Sequence, residues 1–256
     1  MAVETQSDLV RAQFGPRAGA YLASAVHAAG EDLEEMARLV GQRPRAIALD
    51  VGCGGGHVAY RLAPLVAKVV ACDLSEAMLA LVAGEAARRG IGNLETRQLA
   101  AENLSFEPAS FDIVVSRYSA HHWSDVPAAL SQIRKVLKPG GMAIFMDVVS
   151  PGAPLLDTWL QALELLRDPS HVRDYSLAEW RAMLAAAGFV PGHARAFRLR
   201  LGFASWTERI RTADAHSQAI RSLQRVAGAE VRSHFGLEDD GSFTLDTMLM
   251  TAEIGV

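Results

Sequence analysis

Along the first 150 residues, short apolar runs alternate with stretches whose apolar positions recur at helical spacing. "RAIALDVG", ending at Gly52, is an apolar run closed by an acid and a glycine, the pattern of a strand buried on both faces of a parallel sheet. "HVAYRLAPLV" follows as a helix and "KVVACDL" as a second strand. Ser75 is placed to cap the helix "EAMLALVAGEAARRG", which carries arginines in its last turn and Gly90 as its stop. "NLETRQL" and "FDIVVSR" predict the third and fourth strands. Ser124 is placed to cap the helix "DVPAALSQIRKVLK", and Pro139, Gly140 and Gly141 turn the chain into the strand "MAIFMDVV". Repeated strand–helix units of this kind predict an α/β fold with a doubly wound parallel sheet.

After residue 150 the rhythm changes. Leu155, Leu156, Trp159, Leu160, Leu163 and Leu166 fall on one face of a helix that Pro169 ends. Ser176 and Glu179 have capping-box spacing and open a helix that stops at Gly188. "GHARAFRLRLGF" and "GSFTLDTMLMTAEI" alternate like strands. Between them, apolar positions at 206, 210, 213, 220, 223 and 226 predict one or two inserted helices. The segment "QFGPRAGAYLASAVHAAGED" reads as helical after Pro16.

Composition narrows the class. The chain has 256 residues, half of them hydrophobic, enough for one large domain over 1–256. A net charge of −4 gives no general attraction to nucleic acid or to anionic lipid. Mixed stretches such as "EAARRG" and "RDPSHVRDY" read as solvated faces. No charged-then-apolar leader opens the chain, and no apolar run approaches the about 18 residues of a membrane span. Cys53 and Cys72 fit a reducing cytoplasm and cannot form a disulfide framework. These features predict a soluble, cytoplasmic protein with a small-molecule partner.

The densest signal is "ALDVGCGGGHVAY", where four glycines occupy five positions behind Asp50. In an open parallel sheet, ligands settle at the carboxyl ends of the strands, and the first strand–helix turn lies there. A phosphate-binding loop ending in Gly-Lys-Ser/Thr is absent, and a dinucleotide fingerprint starting at Gly52 meets His57 where it needs glycine. A carboxylate before the loop repels a pyrophosphate but attracts a sulfonium and an ammonium, the two cations of S-adenosylmethionine. Asp73, 21 positions beyond Gly52, ends the second strand where it can meet ribose hydroxyls.

The chain here resembles the class I S-adenosylmethionine-dependent methyltransferases, particularly the group around the quinone-biosynthesis C-methyltransferases. "LDVGCGGGHVA", "ACDLSEAML", "AAENLSFEPASFDIVVSRYSAHHW" and "QIRKVLKPGGMAIFMDV" carry the resemblance. It implies S-adenosyl-L-methionine as cofactor, with Asp50 near the methionyl ammonium and Gly52, Cys53 and Gly54 against the ligand. Asp73 would meet the ribose, and Leu74 and Met78 would pack near the adenine. Where the family commonly has an acid at the adenine amino group, this chain has Ala100, followed by Ala101 and Glu102, which would take over that edge. The resemblance further implies a Rossmann-like sheet of seven strands, mostly parallel with the last antiparallel. Residues 1–44 would form an N-terminal helical lid, 45–150 the cofactor-binding core, and 151–256 the substrate-side helices and final strands.

Candidates for acceptor chemistry follow the fourth strand in "SRYSAHHWSD". Ser116 and Arg117 stand at its end, beside the expected sulfonium. Tyr118, His121, His122 and Trp123 add titratable imidazoles and an aromatic wall suited to a planar acceptor. Adjacent histidines point apart, so a metal site of His121, His122 and Asp125 is the weaker reading, and no metal is expected. In "DPSHVRDYS", His171 and Arg173 are placed to meet an acidic substrate head, a role Arg117 could share. Phe14 and Tyr21 are candidate lid residues. The reaction expected is methyl transfer to an oxygen or carbon centre on a phenolic or quinone-like ring. A nitrogen or carboxylate of a small acidic metabolite is the alternative, and a nicotinamide-dependent oxidoreductase or a non-catalytic cofactor-binding module the competing classes.

Overall fold

The computed structural model of the protein describes residues 5–17, 19 and 30–255; Tyr21 lies outside them. Seven strands form one sheet: β1 (Arg43–Val51), β2 (Val66–Asp73), β3 (Leu94–Gln98), β4 (Phe111–Arg117), β5 (Leu137–Val148), β6 (Phe189–Leu201) and β7 (Phe243–Ile254). Their order is β3-β2-β1-β4-β5-β7-β6, with β7 antiparallel to both neighbours and the β1–β5 pairings parallel. The described helices are α1 (Gln6–Phe14), α2 (Glu31–Val40), α3 (His57–Leu62), α4 (Glu76–Arg88) and α5 (Val126–Val136), then α6 (Pro154–Arg167), α7 (Leu177–Ala186), α8 (Phe203–Glu208), α9 (Asp214–Arg225) and α10 (Ala229–Phe235).

Strand periodicity decides which face each residue serves. Along β1, Leu49 and Val51 enter the core on one side of the sheet, with Leu130, Ile133 and Trp180. Ala46 and Ala48 enter the other, with Met36, Leu62 and Val82. Each buried leucine or valine contributes about 2 kcal/mol, so both faces hold β1 in register. A third cluster joins Leu160 and Leu163 of α6 to Trp206, Phe235 and Phe243.

Local signals for the cofactor half hold closely, and five expectations are corrected. Asp125, not Ser124, caps α5: its Oδ1 accepts from Ala128 N–H at 2.9 Å, while Ser124 Oγ donates to Glu102 at 3.0 Å. That helix ends at Val136, and the chain is extended from Leu137, consistent with Pro139 disfavouring helix just before it. Three helices, not one or two, lie between β6 and β7: the chain leaves the helix between Glu208 and Asp214 and again between Arg225 and Ala229, where Gly228 stands just before α10 and Val226 is 78% exposed. On α6, Leu155 faces solvent and Glu164 is buried. Finally, "RDPSHVRDY" is no solvated face: Asp168, Ser170, His171 and Asp174 are all buried.

Candidate active site

β1 delivers Asp50 and the glycine loop to the carboxyl end of the sheet. Gly52 has φ +68°, and a Cβ there would run into the side chain of Ser119. Gly54 has φ +47° and nothing within 4 Å of a Cβ, so its bare backbone faces open space. Asp73, at the end of β2, accepts from the N–H groups of Gly54 and Ser75, both at 2.9 Å, and ties loop to strand. Asp50 is 1% exposed; its Oδ2 accepts from Ala59 N–H at 3.1 Å and its Oδ1 has no partner. Burial first, then the neighbouring Asp73 charge, push its carboxyl up to about 8.

A deep cavity among the described residues runs along these strand ends. Asp50, Gly52, Cys53, Gly54, Asp73, Leu74, Met78, Ala101 and Glu102 all line it. Ser116 does not: it is buried at the end of β4, its hydroxyl without a partner. Glu102 Oε1 is already bonded to the N–H and hydroxyl of Ser124, at 2.9 and 3.0 Å. The donor set fits S-adenosylmethionine. A buried carboxylate with an unpartnered oxygen suits a cation, the open glycine backbone admits close approach, and Leu74, Met78 and Ala101 offer apolar surface to a base.

The other half of the cavity is built from the turn after β4 and the end of β5. Tyr118 has φ +50°, sparsely populated for a bulky residue; its N–H donates to Met146 at 2.8 Å and its ring lines the cavity. A short helical turn at Ala120–His122 follows. His121 Nδ1 lies 2.6 Å from Asp147 Oδ1. The same carboxylate accepts from Val148 N–H at 2.9 Å and, through Oδ2, from Ala120 N–H at 3.0 Å. Burial opposes charge on His121, but Asp147 outweighs it and lifts the imidazole to about 9. His122 is held in the opposite direction, by burial and then by the charge on His121, and its Nδ1 lies 3.1 Å from the Ser170 carbonyl. Phe14 of α1 packs edge-on against His122, ring centroids 4.9 Å apart. Trp123 lines the cavity and donates from Nε1 to Ser119 at 3.0 Å.

The candidate arginines are committed elsewhere. Arg117 lines the cavity, but its guanidinium grips Asp32 of α2 through Nε at 2.5 Å and Nη2 at 3.1 Å, with both partners buried. Arg173 pairs with Asp157 and Glu179, each at 3.2 Å, and does not line the cavity. His171 is also off the cavity, bonded through Nε2 to Gln161 at 2.9 Å. From that same stretch Asp174 does line it, together with Glu164, Arg167, Trp206 and Arg209. Asp125, spent on capping α5, joins no histidine cluster; His121, Asp147 and Asp174 instead bring ligand-type atoms within 4.8 Å of one another. Asp32, Asp147, Glu164 and Asp174 escaped the sequence reading. The signal for Asp147 was an acid inside the apolar strand "MAIFMDVV".

Residues 49–145 match a family model described as a methyltransferase domain. The chain is 47% identical over 201 residues to the uncharacterized protein YafE of Escherichia coli, covering 78% of this chain and 97% of that one. It is 37% identical over 223 residues to the uncharacterized methyltransferase YcgJ of Bacillus subtilis, 87% of this chain and 88% of that one. The YcgJ crystal structure superposes with a TM-score of 0.85, covering 88% of this chain and 99% of that one. The chain belongs to the class I S-adenosylmethionine-dependent methyltransferases. This methyltransferase is also 33% identical over 120 residues to the ubiquinone/menaquinone biosynthesis C-methyltransferase UbiE of Brucella anthropi, covering 45% and 46% of the two chains. S-adenosylmethionine is its cofactor. Among the described residues, no helix of the methyltransferase is long and apolar enough to cross a membrane.

Proposed function

We propose that this methyltransferase moves the methyl group of S-adenosylmethionine to an oxygen or carbon centre on a phenolic or quinone-like ring, with His121 as the group that takes the acceptor's proton. The observation carrying this reading is His121 on the wall of the cavity with its Nδ1 held by Asp147. The cofactor supplies a methyl group already activated by the sulfonium. What remains for the protein is alignment, exclusion of water and removal of a proton.

The chain's residues divide that work. Asp50 faces the ammonium with its unpartnered oxygen, and Asp73 meets the ribose while holding Gly54. Leu74, Met78 and Ala101 pack against the adenine, with Glu102 at its edge. Val148, Leu199, Leu201 and Leu245 form an apolar wall on the acceptor side, and Tyr118, Trp123 and Trp206 add aromatic surface suited to a flat ring. Asp147 fixes the His121 ring and stabilises its charged form, so the imidazole that receives a proton sits beside a carboxylate. The partial similarity to UbiE supports a ring acceptor. The two free cysteines, both buried, suit a reducing cytoplasm.

Methylation of a small acidic metabolite draws less support, because Arg117 and Arg173 already hold carboxylates of the chain. The test is turnover. The protein, S-adenosylmethionine and a panel of phenols, hydroquinones, amines and carboxylic acids are assayed for S-adenosylhomocysteine. Phenols or hydroquinones as the active group support the proposal, and turnover confined to amines or acids refutes it.

A further inference from the structure

Arg167, the last residue of α6, lines the acceptor half of the cavity. Its carbonyl is turned to the hydroxyl of Thr212, which does not line the cavity, so the side chain is the part that faces it. Nε donates to the Trp206 carbonyl at 3.1 Å and Nη1 to Glu164 Oε2 at 3.5 Å, and both of these residues line the cavity too. Among the described residues Nη2 finds no acceptor, although the side chain is only 11% exposed. A guanidinium carries more N–H donors than these two bonds use.

The charge is matched no better than the donors. The Glu164 contact stands at the long end of hydrogen-bond distances, and burial disfavours ionisation of that carboxyl more strongly than Arg167 favours it. The contacts to Trp206 are neutral: its carbonyl, and its ring with the centroid 5.0 Å from Cζ. A largely enclosed cation with donors to spare attracts an oxyanion, and the planar fork of a guanidinium matches a carboxylate. One guanidinium balances one negative charge, so a doubly charged phosphate fits less well. The Glu164 charge also acts on His121, so one acid lies near both the proton acceptor and the arginine. We propose that the acceptor carries a carboxylate, held by the Arg167 guanidinium on the wall formed with Glu164 and Trp206. This inference rests on the ring-acceptor reading and narrows it to ring acids such as hydroxybenzoates. The carboxylate is the anchor, and the ring oxygen or carbon remains the methyl acceptor. The acidic head expected at Arg117 and Arg173 thus moves to Arg167, which becomes a specificity-determining residue.

Calorimetry on the protein saturated with S-adenosylhomocysteine tests this without turnover. 3-Hydroxybenzoate and 4-hydroxybenzoate are titrated beside the corresponding hydroxybenzamides, neutral compounds of nearly the same shape. At least one acid should bind about 10-fold or more tightly than its amide, the value of a charge-assisted hydrogen bond. Arg167→Gln should remove most of that preference and leave S-adenosylhomocysteine affinity unchanged. Should that variant fail to fold, Arg167→Lys keeps the charge but loses the fork and should show a reduced preference. Equal affinity for acids and amides in the wild type overturns the carboxylate inference and leaves the ring acceptor standing. An undiminished preference in a folded variant also overturns it. Failure of all four compounds to bind, with S-adenosylhomocysteine still bound, overturns the inference and the ring reading together.

Discussion

His121 and Asp147, 26 positions apart in the chain, meet with Nδ1 and Oδ1 2.6 Å apart at the carboxyl ends of β4 and β5. The carboxylate also takes the N–H groups of Ala120 and Val148, so it cannot turn away without breaking the turn that carries the histidine. The pair is a rigid unit, and its chemistry is set by the strength with which His121 holds a proton.

That strength sets a pH profile. His121 must be neutral to accept a proton, and Asp147 raises it to about 9. kcat/KM should therefore climb with pH through neutrality and level off near 9. Asp147→Asn should move the rising limb to lower pH and reduce the plateau by about 10- to 100-fold, through loss of ring orientation. His121→Asn should abolish the limb. A profile flat from pH 6 to 9 in the wild type would remove His121 from the reaction.

Cofactor binding should release a proton. Asp50 is raised to about 8 by burial and by Asp73, so near pH 7 it is largely protonated, whereas an adjacent ammonium favours the carboxylate. Affinity for S-adenosylmethionine should rise with pH up to about 8 and then plateau. Calorimetry in buffers of different ionisation enthalpy measures the released proton directly; an enthalpy independent of buffer would exclude the linkage.

The Arg117–Asp32 pair is an architectural element that ties α2 to the end of β4. Removing one partner leaves the other buried without its counter-charge, so Asp32→Asn should cost about 3–5 kcal/mol, read as a fall in denaturation midpoint. Replacing both together, Arg117→Met with Asp32→Leu, should recover much of that loss. If the double change costs the sum of the two single changes, the pair is not the coupled unit described.

Two buried histidines should also cost the fold stability in mild acid. His122 and His171 are pushed below the ordinary 6.5, chiefly by burial and then by the charge on His121. Groups with a depressed folded value contribute stability that is present above 6.5 and lost as the unfolded chain takes up protons the folded chain refuses. His121 has the opposite sign: its stabilisation is complete below 6.5 and fades between 6.5 and about 9. Asp50, raised to about 8, has the same sign as His121 and adds stability as pH falls below 8. The histidine contribution is therefore read as a difference: from pH 7 to pH 5 the urea midpoint of His171→Asn should rise relative to that of wild type.

Legibility in the sequence followed the range of the interactions. The capping box of Ser176 and Glu179, the glycine turn behind Asp50, and Asp73 at the end of β2 depend on near neighbours or on strand–turn–helix order, and all were readable. Asp32 pairs across 85 positions with Arg117, so nothing near that arginine announced its partner. Arg117 and Arg173 looked available because charge was visible and pairing was not. Asp174 was hidden inside a stretch whose mixed charge resembles a wet loop, yet its backbone N–H is held by Gln161 at 3.1 Å and its side chain is buried.

The central claim is that the glycine-lined corner between Asp50 and Asp73 holds a positively charged nucleoside. Calorimetric titration of S-adenosylmethionine into wild type and into the Asp50→Asn, Asp73→Asn double variant tests it most directly. The account predicts one molecule bound per chain, with affinity lowered about 100-fold or more in the double variant as two charge-assisted contacts are lost. Unchanged affinity in a folded double variant, or binding of NADH in preference to S-adenosylmethionine, would contradict it.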